Sequence, residues 1–249
     1  MTVAAYLRRA RPMLGTLVEV GVRGSSEDLH DLSEVAFARI LEVQQSLSRF
    51  DAGSDIACFN ASDMGEQIHV RRDTARVLAA ACELHAASDG AFDVSLGTAR
   101  DGWRLDGDML HKRNAAVSLD LGGIGKGYAV DAAVSALLER GCCAGWVNAG
   151  GDLRTFGDVD VPVHVRDERT GGVRPFASIR DGAFATSNFR AGARSRLTPL
   201  TSRNETQDHI SVAAPECMWA DALTKLVAQR AGARADLLAR YGATAWTHT

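Results

Sequence analysis

Hydrophobic and polar residues alternate over residues 14–22, LGTLVEVGV, and place Thr16, Val18, Val20 and Val22 on one side. A period of two with one apolar face predicts a half-buried strand. The period then lengthens: Leu29, Leu32, Ala36, Ile40, Val43 and Leu47 recur at helical spacing, with Ser25, Ser26, Glu27 and Asp28 suited to the start of that helix. Val77, Leu78, Ala81, Leu84 and His85 predict a second helix over residues 73 to about 88, ending at Gly90, and His85 reads as an ordinary helix-face histidine. A short run, VSLDL, predicts a strand; the turn GGIGKG follows, then a helix over residues 128–140 with Val130, Val134, Leu137 and Leu138 inward.

Between Trp146 and Ser211 the runs WVNAG, VPVHVR, FASIR, AFATS and HISVAA are separated by Gly, Asp and Asn, which predicts mainly antiparallel strands. Helices from about Trp219 and Ala233 and a last strand, ATAWT, close the chain. The fold class is α+β, mainly antiparallel sheets packed with helices. Neither linkers nor repeats divide the pattern, and 249 residues can bury one substantial core, so residues 1–249 are expected to form a single domain.

Charge narrows the function. A net charge of −3 with scattered Lys and Arg offers no basic stripe, so a nucleic-acid partner is not expected and a metabolic or modifying role is. The five cysteines form no CxxC pair, and adjacent Cys142 and Cys143 suit neither a zinc site nor a mutual disulfide; they read as buried small apolar residues in a reducing compartment. The first residues, MTVAAYLRRARPM, hold no apolar run of signal-peptide length and no segment reaches transmembrane length, so the chain as given is expected in the cytoplasm.

The candidate chemistry starts at the glycine-lysine turn. A helix N-terminus offers free N–H groups and the positive end of a dipole, and glycines allow a phosphate to approach them. A Walker A loop is excluded, since Asp120 stands where a glycine belongs and Gly127 where a hydroxyl belongs. The GxGxxG spacing fails as well. Taken alone, the turn reads either as an anion site or as a tight turn with a solvated lysine.

Other segments bear on that choice. They are RPMLGT, LSRFDAGSDIACFN, GAFDVSLG, LDLGGIGKGYAVD, VNAGGDLRTFG, ATSNF and ISVAAPECMWADALT. In this order, along nearly the whole chain, they resemble the motifs of the flavin transferase family called ApbE, the FAD:protein FMN transferases. The resemblance implies that Met13 or Leu14, Phe50, Ala91, Phe92 and Asp93 line the flavin or adenosine portions of FAD, that Asp120 and Lys126 contact the nucleotide, and that Leu197 belongs to the same set. The residue types suit those roles: Phe50 can stack on a ring, Asp120 can accept from ring or ribose donors, and Lys126 can pair with phosphate. From the residues alone, Phe50 and Phe92 read equally as core and Asp93 as a turn cap.

The implied reaction is phosphoryl transfer from FAD to a threonine of a target protein, with AMP leaving and a Mg2+ ion bridging the pyrophosphate. The resemblance places that ion on the Gly123 carbonyl, Asp221 and a threonine one turn further on. Here the chain departs from the pattern, because the position four residues after Asp221 is Lys225 and Thr224 precedes it. Two arrangements follow: Thr224 assists a metal, or the Lys225 ammonium takes the place of the cation. A second departure lies in RSRLTPLTSR, where Ser195 and Thr198 stand near the positions of the family's His and Asp; His209 is close in sequence but begins another strand. The alternative function is therefore an FAD-binding protein of the same fold without transferase activity.

Overall fold

The computed structural model describes residues 5–25, 27–166, 172–189, 209–229 and 235–248. The chain opens with a hairpin of β1 (Ala5–Met13) and β2 (Thr16–Gly24), in which Val18, Val20 and Val22 are fully buried. β2 starts two residues later than the alternation predicts because Leu14 and Gly15 make the turn, with φ of +54° and +69°. A left-handed pair of this kind matches the twist of the strands it joins. β1 escapes the hydrophobic pattern because arginines occupy it. Arg8 pairs with Glu19 across the hairpin, and Arg9 and Arg11 both reach Glu34. Such charges suit an edge strand, where they oppose pairing with another chain.

The next elements are α1 (Leu29–Leu47), α2 (Asp55–Ala61), β3 (Gln67–His69), α3 (Arg72–Ala87), β4 (Trp103–Asp106), β5 (Met109–Lys112) and α4 (Gly125–Glu139). They are followed by β6 (Ala144–Ala149), β7 (Asp152–Phe156), β8 (Val161–Arg166), β9 (Val173–Ile179), β10 (Ala183–Asn188), β11 (His209–Ala214), α5 (Cys217–Ala228), α6 (Ala235–Arg240) and β12 (Thr244–His248). The main sheet is antiparallel, in the order β1-β2-β6-β7-β10-β11-β12; β3-β5-β4 and β8-β9 form two smaller sheets. The α+β class read from the periods is the observed one. Helix α4 packs against both α1 and α5, and all three pack on this sheet, so that Phe37 and Ile40 of α1, Leu137 of α4, Leu223 and Leu226 of α5 and Ile210 of β11 share one core.

Three local expectations are corrected. Residues 117–121 are not a strand, although Val117, Leu119 and Leu121 are buried in alternation. Asn60 substitutes for a strand neighbour: its Oδ1 accepts from the Leu119 N–H (2.7 Å) and its Nδ2 donates to the Leu119 carbonyl (2.9 Å). α4 begins at Gly125, and its Leu138 is 49% exposed while Val130, Val134 and Leu137 are buried. All five cysteines are free, but only Cys142 and Cys217 are buried; Cys58, Cys82 and Cys143 are exposed. Among the described residues no helix is long and apolar enough to cross a membrane.

Candidate functional site

Two helices bring the site together by an unusually close approach. A Cβ on Gly127, in the first turn of α4, would lie 2.3 Å from the Cys217 carbonyl at the start of α5, so only glycine allows this packing. Asp131, one turn further along α4, caps the partner helix: its carboxylate accepts from the Cys217 N–H (2.9 Å) and the Met218 N–H (2.8 Å). These bonds satisfy N–H groups that Glu216 at the cap leaves unbonded by its side chain. The next turn of α5 then faces the start of α4, and the Gly127 N–H donates to Asp221 Oδ2 at 3.1 Å.

Around that bond lies a buried network of two carboxylates and two ammonium groups. Lys126 of α4 pairs with Asp152, the first residue of β7, and its Nζ is 3.9 Å from Asp221 Oδ2. Lys225 pairs with Asp221 one turn along α5, and its Nζ also donates to the Asp221 carbonyl (2.9 Å) and to Ser187 Oγ of β10 (3.2 Å). The Lys126 side chain is 34% exposed, whereas Asp152, Asp221 and Lys225 are buried, so Lys126 is the face the network presents to solvent.

Burial and neighbouring charge set the protonation of each group. For Lys126 burial alone would lower the pKa, but Asp152 and Asp221 outweigh it and hold the ammonium charged. Burial would likewise raise Asp221, yet Lys126 and Lys225 keep it below the ordinary carboxylate range. Asp152 differs: burial and the charge of Asp221 raise it to about 6, and Lys126 and Lys225 offset this only in part. Burial, then the charges of Asp131, Asp152 and Asp221, push the Cys217 thiol well above its usual value, which leaves it unreactive.

The structure gathers several of the sequence-predicted residues around this cluster. Gly150 in the β6–β7 turn donates its N–H to the Leu17 carbonyl, and a Cβ there would strike Thr16, so the Met13–Leu14 hairpin tip sits beside the turn that leads into Asp152. The Leu14 N–H is held by Gln44 Oε1 of α1 at 2.7 Å, and Leu47 of the same helix packs against Gly125. Asp120 accepts from the Gly122 N–H (2.8 Å) and lies 3.4 Å from Arg49 Nε. The Arg49 guanidinium covers one side of the Phe50 ring at 4.6 Å, and Phe50 is 84% exposed, so its other face is open to a planar ring.

Ala91, Phe92 and Asp93 are placed differently. Phe92 is buried, and Asp93 spends its carboxylate on the N–H groups of Ser95 and Gly97 and on the Ser95 hydroxyl, which makes it a loop builder. Ala91 is half-buried in the core, and His85 donates from Nδ1 to the Phe92 carbonyl at 2.8 Å. This loop is tied by its backbone to the segment that leads into α4, since the Asp120 N–H donates to the Val94 carbonyl. Leu197 and the segment 194–203 lie outside the described residues. His209 begins β11, where its ring packs on His248.

Asp152 and Ser187 are the residues that sequence reasoning missed. Both lie in quoted segments, VNAGGDLRTFG and ATSNF, and a carboxylate directly after two glycines was the available signal. A cavity of about 630 Å³ lined by Arg23, Asp28, Arg140 and Asp158 lies at the far ends of β2 and α4 from the cluster and takes no part in it.

The residues present do not fit a resident Mg2+ ion. Asp221 Oδ1 and the Asp221 carbonyl are bonded to the Lys225 ammonium, and Asp221 Oδ2 to the Gly127 N–H. Thr224 Oγ1 donates to the Asp221 carbonyl (2.7 Å) and shares a hydrogen bond with Ser187 (2.8 Å). The alkyl chain of Lys225 also lies against Gly123, where a Cβ would sit 3.7 Å from its Cε. Lys225 thus occupies the donor set that the resemblance offers to a metal. Among the described residues no group of three His, Cys, Asp or Glu side chains gathers as a metal site.

Known proteins share this architecture. A protein of Treponema pallidum named FAD:protein FMN transferase is 26% identical over 86% of this chain and 76% of its own length. A Rhodobacter capsulatus protein of the same name is also 26% identical, over 68% of this chain, which spans 39% of that relative. The solved structure of the flavin transferase ApbE from Vibrio cholerae superposes with a TM-score of 0.83, covering 98% of this chain and 94% of that one at 20% identity, which establishes the shared fold. Residues 14–243, from the hairpin tip to the approach of the last strand, match the ApbE family, and the chain belongs to that family.

Proposed function

We propose that this protein is an FAD:protein FMN transferase: it binds FAD at the start of α4 and moves the FMN phosphoryl group to a threonine hydroxyl of a target protein. The observation that carries this reading is Lys126, a charged, partly exposed ammonium at a helix N-terminus, backed by the buried carboxylates of Asp152 and Asp221. Family membership supports it, as do the names of the relatives. Residues 1–249 are read as one domain, a reading supported by a family match that runs over residues 14–243.

The acceptor oxygen attacks the FMN-side phosphorus, the bond from that phosphorus to the bridging oxygen breaks, and AMP leaves with that oxygen. The acceptor loses its proton to solvent, so the products are a phosphoester-linked FMN, AMP and H+. Charge builds on the oxygens around the transferred phosphorus and on the leaving group, so catalysis rests on alignment and on positive charge fixed in advance. Lys126 and the first turn of α4 supply that charge, Phe50 stacks on one ring system, and Asp120 accepts from a ring or ribose donor. The buried Asp152 and Asp221 hold Lys126 in place through their ion pairs.

The test is co-expression with candidate acceptor proteins, followed by intact-mass measurement of the acceptor and chromatographic assay of AMP. Added FMN mass matched by AMP release is the expected result. Bound FAD that stays intact with every acceptor would leave a flavin-binding protein without transferase activity.

A further inference from the structure

We infer that this protein carries its own cation: the Lys225 ammonium stands on the donor set where a divalent metal would bridge Asp221 to the pyrophosphate, and FAD binding proceeds without magnesium. The inference deepens the reading above and rests on it for the identity of the ligand.

Three observations carry it. The Lys225 Nζ makes three bonds, to the Asp221 carboxylate, the Asp221 carbonyl and Ser187 Oγ, which accounts for all three ammonium protons. These bonds are buried, and an ion pair with both partners desolvated is lost only at high cost, so the ammonium is not readily pushed aside by a metal arriving from solution. Charge gives the same answer. Asp152 and Asp221 bring two negative charges and Lys126 and Lys225 two positive ones, so the network is neutral before any metal arrives. A divalent ion bound at Asp221 would sit against two ammonium groups, whereas the FAD pyrophosphate would meet the exposed Lys126 ammonium directly, with the buried Lys225 charge behind it.

Manganese serves as the probe, because its binding is read by electron paramagnetic resonance with no need for activity. The FAD-free parent is expected to show no Mn2+ binding that Asp221→Asn removes. Its FAD affinity, measured by flavin fluorescence, is expected to agree within about twofold between EDTA and MgCl2, since no metal contributes a charged contact. Lys225→Thr removes the ammonium and restores a threonine four residues after Asp221. That variant should melt at a lower temperature than the parent in EDTA, recover stability with Mn2+ or Mg2+, and bind FAD at least about tenfold more tightly with the metal than without it. The metal rescue should disappear when Asp221→Asn is added.

Mn2+ binding by the parent that is lost in Asp221→Asn would overturn the inference. So would parent FAD affinity that rises tenfold or more with magnesium. Should Lys225→Thr fail to fold, the two measurements on the parent still decide. Should the parent bind no FAD at all, the flavin reading fails, and the manganese measurement still decides the question of the cation.

Discussion

Asp152 shows what a single buried residue does to the pH response of the site. Its folded pKa of about 6 lies above the ordinary carboxylate value, so between the two the native state holds a proton that the unfolded chain has released. The stability from that proton is complete below the unfolded value and is lost as pH rises through the folded one. Asp221, lowered by its lysines, acts in the opposite sense: its contribution is present above the ordinary value and is lost as pH falls through its depressed one. Chemical denaturation should therefore show the parent gaining stability relative to Asp152→Asn on going from about pH 7 to about pH 5. Equal changes in the two proteins would mean that Asp152 titrates normally. Lys126 is the matching test of binding. Lys126→Ala is expected to weaken FAD by roughly 1–3 kcal/mol in a fluorescence titration, the range for a charged hydrogen bond, with circular dichroism confirming the fold. Unchanged affinity would remove Lys126 from the nucleotide site.

At the scale of elements, the distance between α4 and α5 is the critical quantity. Gly127 meets the Cys217 backbone, whereas Gly123 has an ordinary φ and room for a methyl group against the Lys225 side chain. Gly127→Ala should force the helices apart and cost about 1–3 kcal/mol, the range for overpacking a core, while Gly123→Ala should stay within about 0.5 kcal/mol of the parent. Urea denaturation measures both, and equal losses would contradict the packing described. The loss at Gly127 also withdraws the N–H that holds Asp221 Oδ2, so the charge network is disturbed along with the fold. The β1–β2 turn has a local consequence of its own. Leu14 holds a left-handed conformation that disfavours its branched side chain, and its N–H is tied to Gln44.

On the scale of the whole molecule, the residues gathered at the site come from the first hairpin, the α1–α2 connection, α4, β7, β10 and α5. A surface assembled from segments so far apart in sequence is suited to hold a long ligand at more than one place. FAD is therefore expected to bind more tightly than FMN in parallel fluorescence titrations, because the adenylate half adds contacts beyond the shared flavin and phosphate. Equal affinities would indicate a site for the flavin half only.

The periods in the sequence determined the helices α1, α3, α4 and α5 and most strands of the main sheet, because an apolar stripe at spacing two or near 3.6 has only one way to be buried. The ordered motifs likewise point to the family. Tertiary structure decided the rest. β1 was invisible because its partners for Arg8, Arg9 and Arg11 lie on other elements, and residues 117–121 read as a strand because the side chain that satisfies Leu119 belongs to Asn60. Phe50 and Phe92 looked alike in sequence, yet one is exposed and the other buried. The largest gap was at Asp221, where spacing left Thr224 and Lys225 as equal candidates. Only the fold, by setting Ser187 and Gly123 beside the Lys225 chain, showed which side chain sits on that carboxylate, because hydrogen-bond partners from distant strands cannot be read from local spacing.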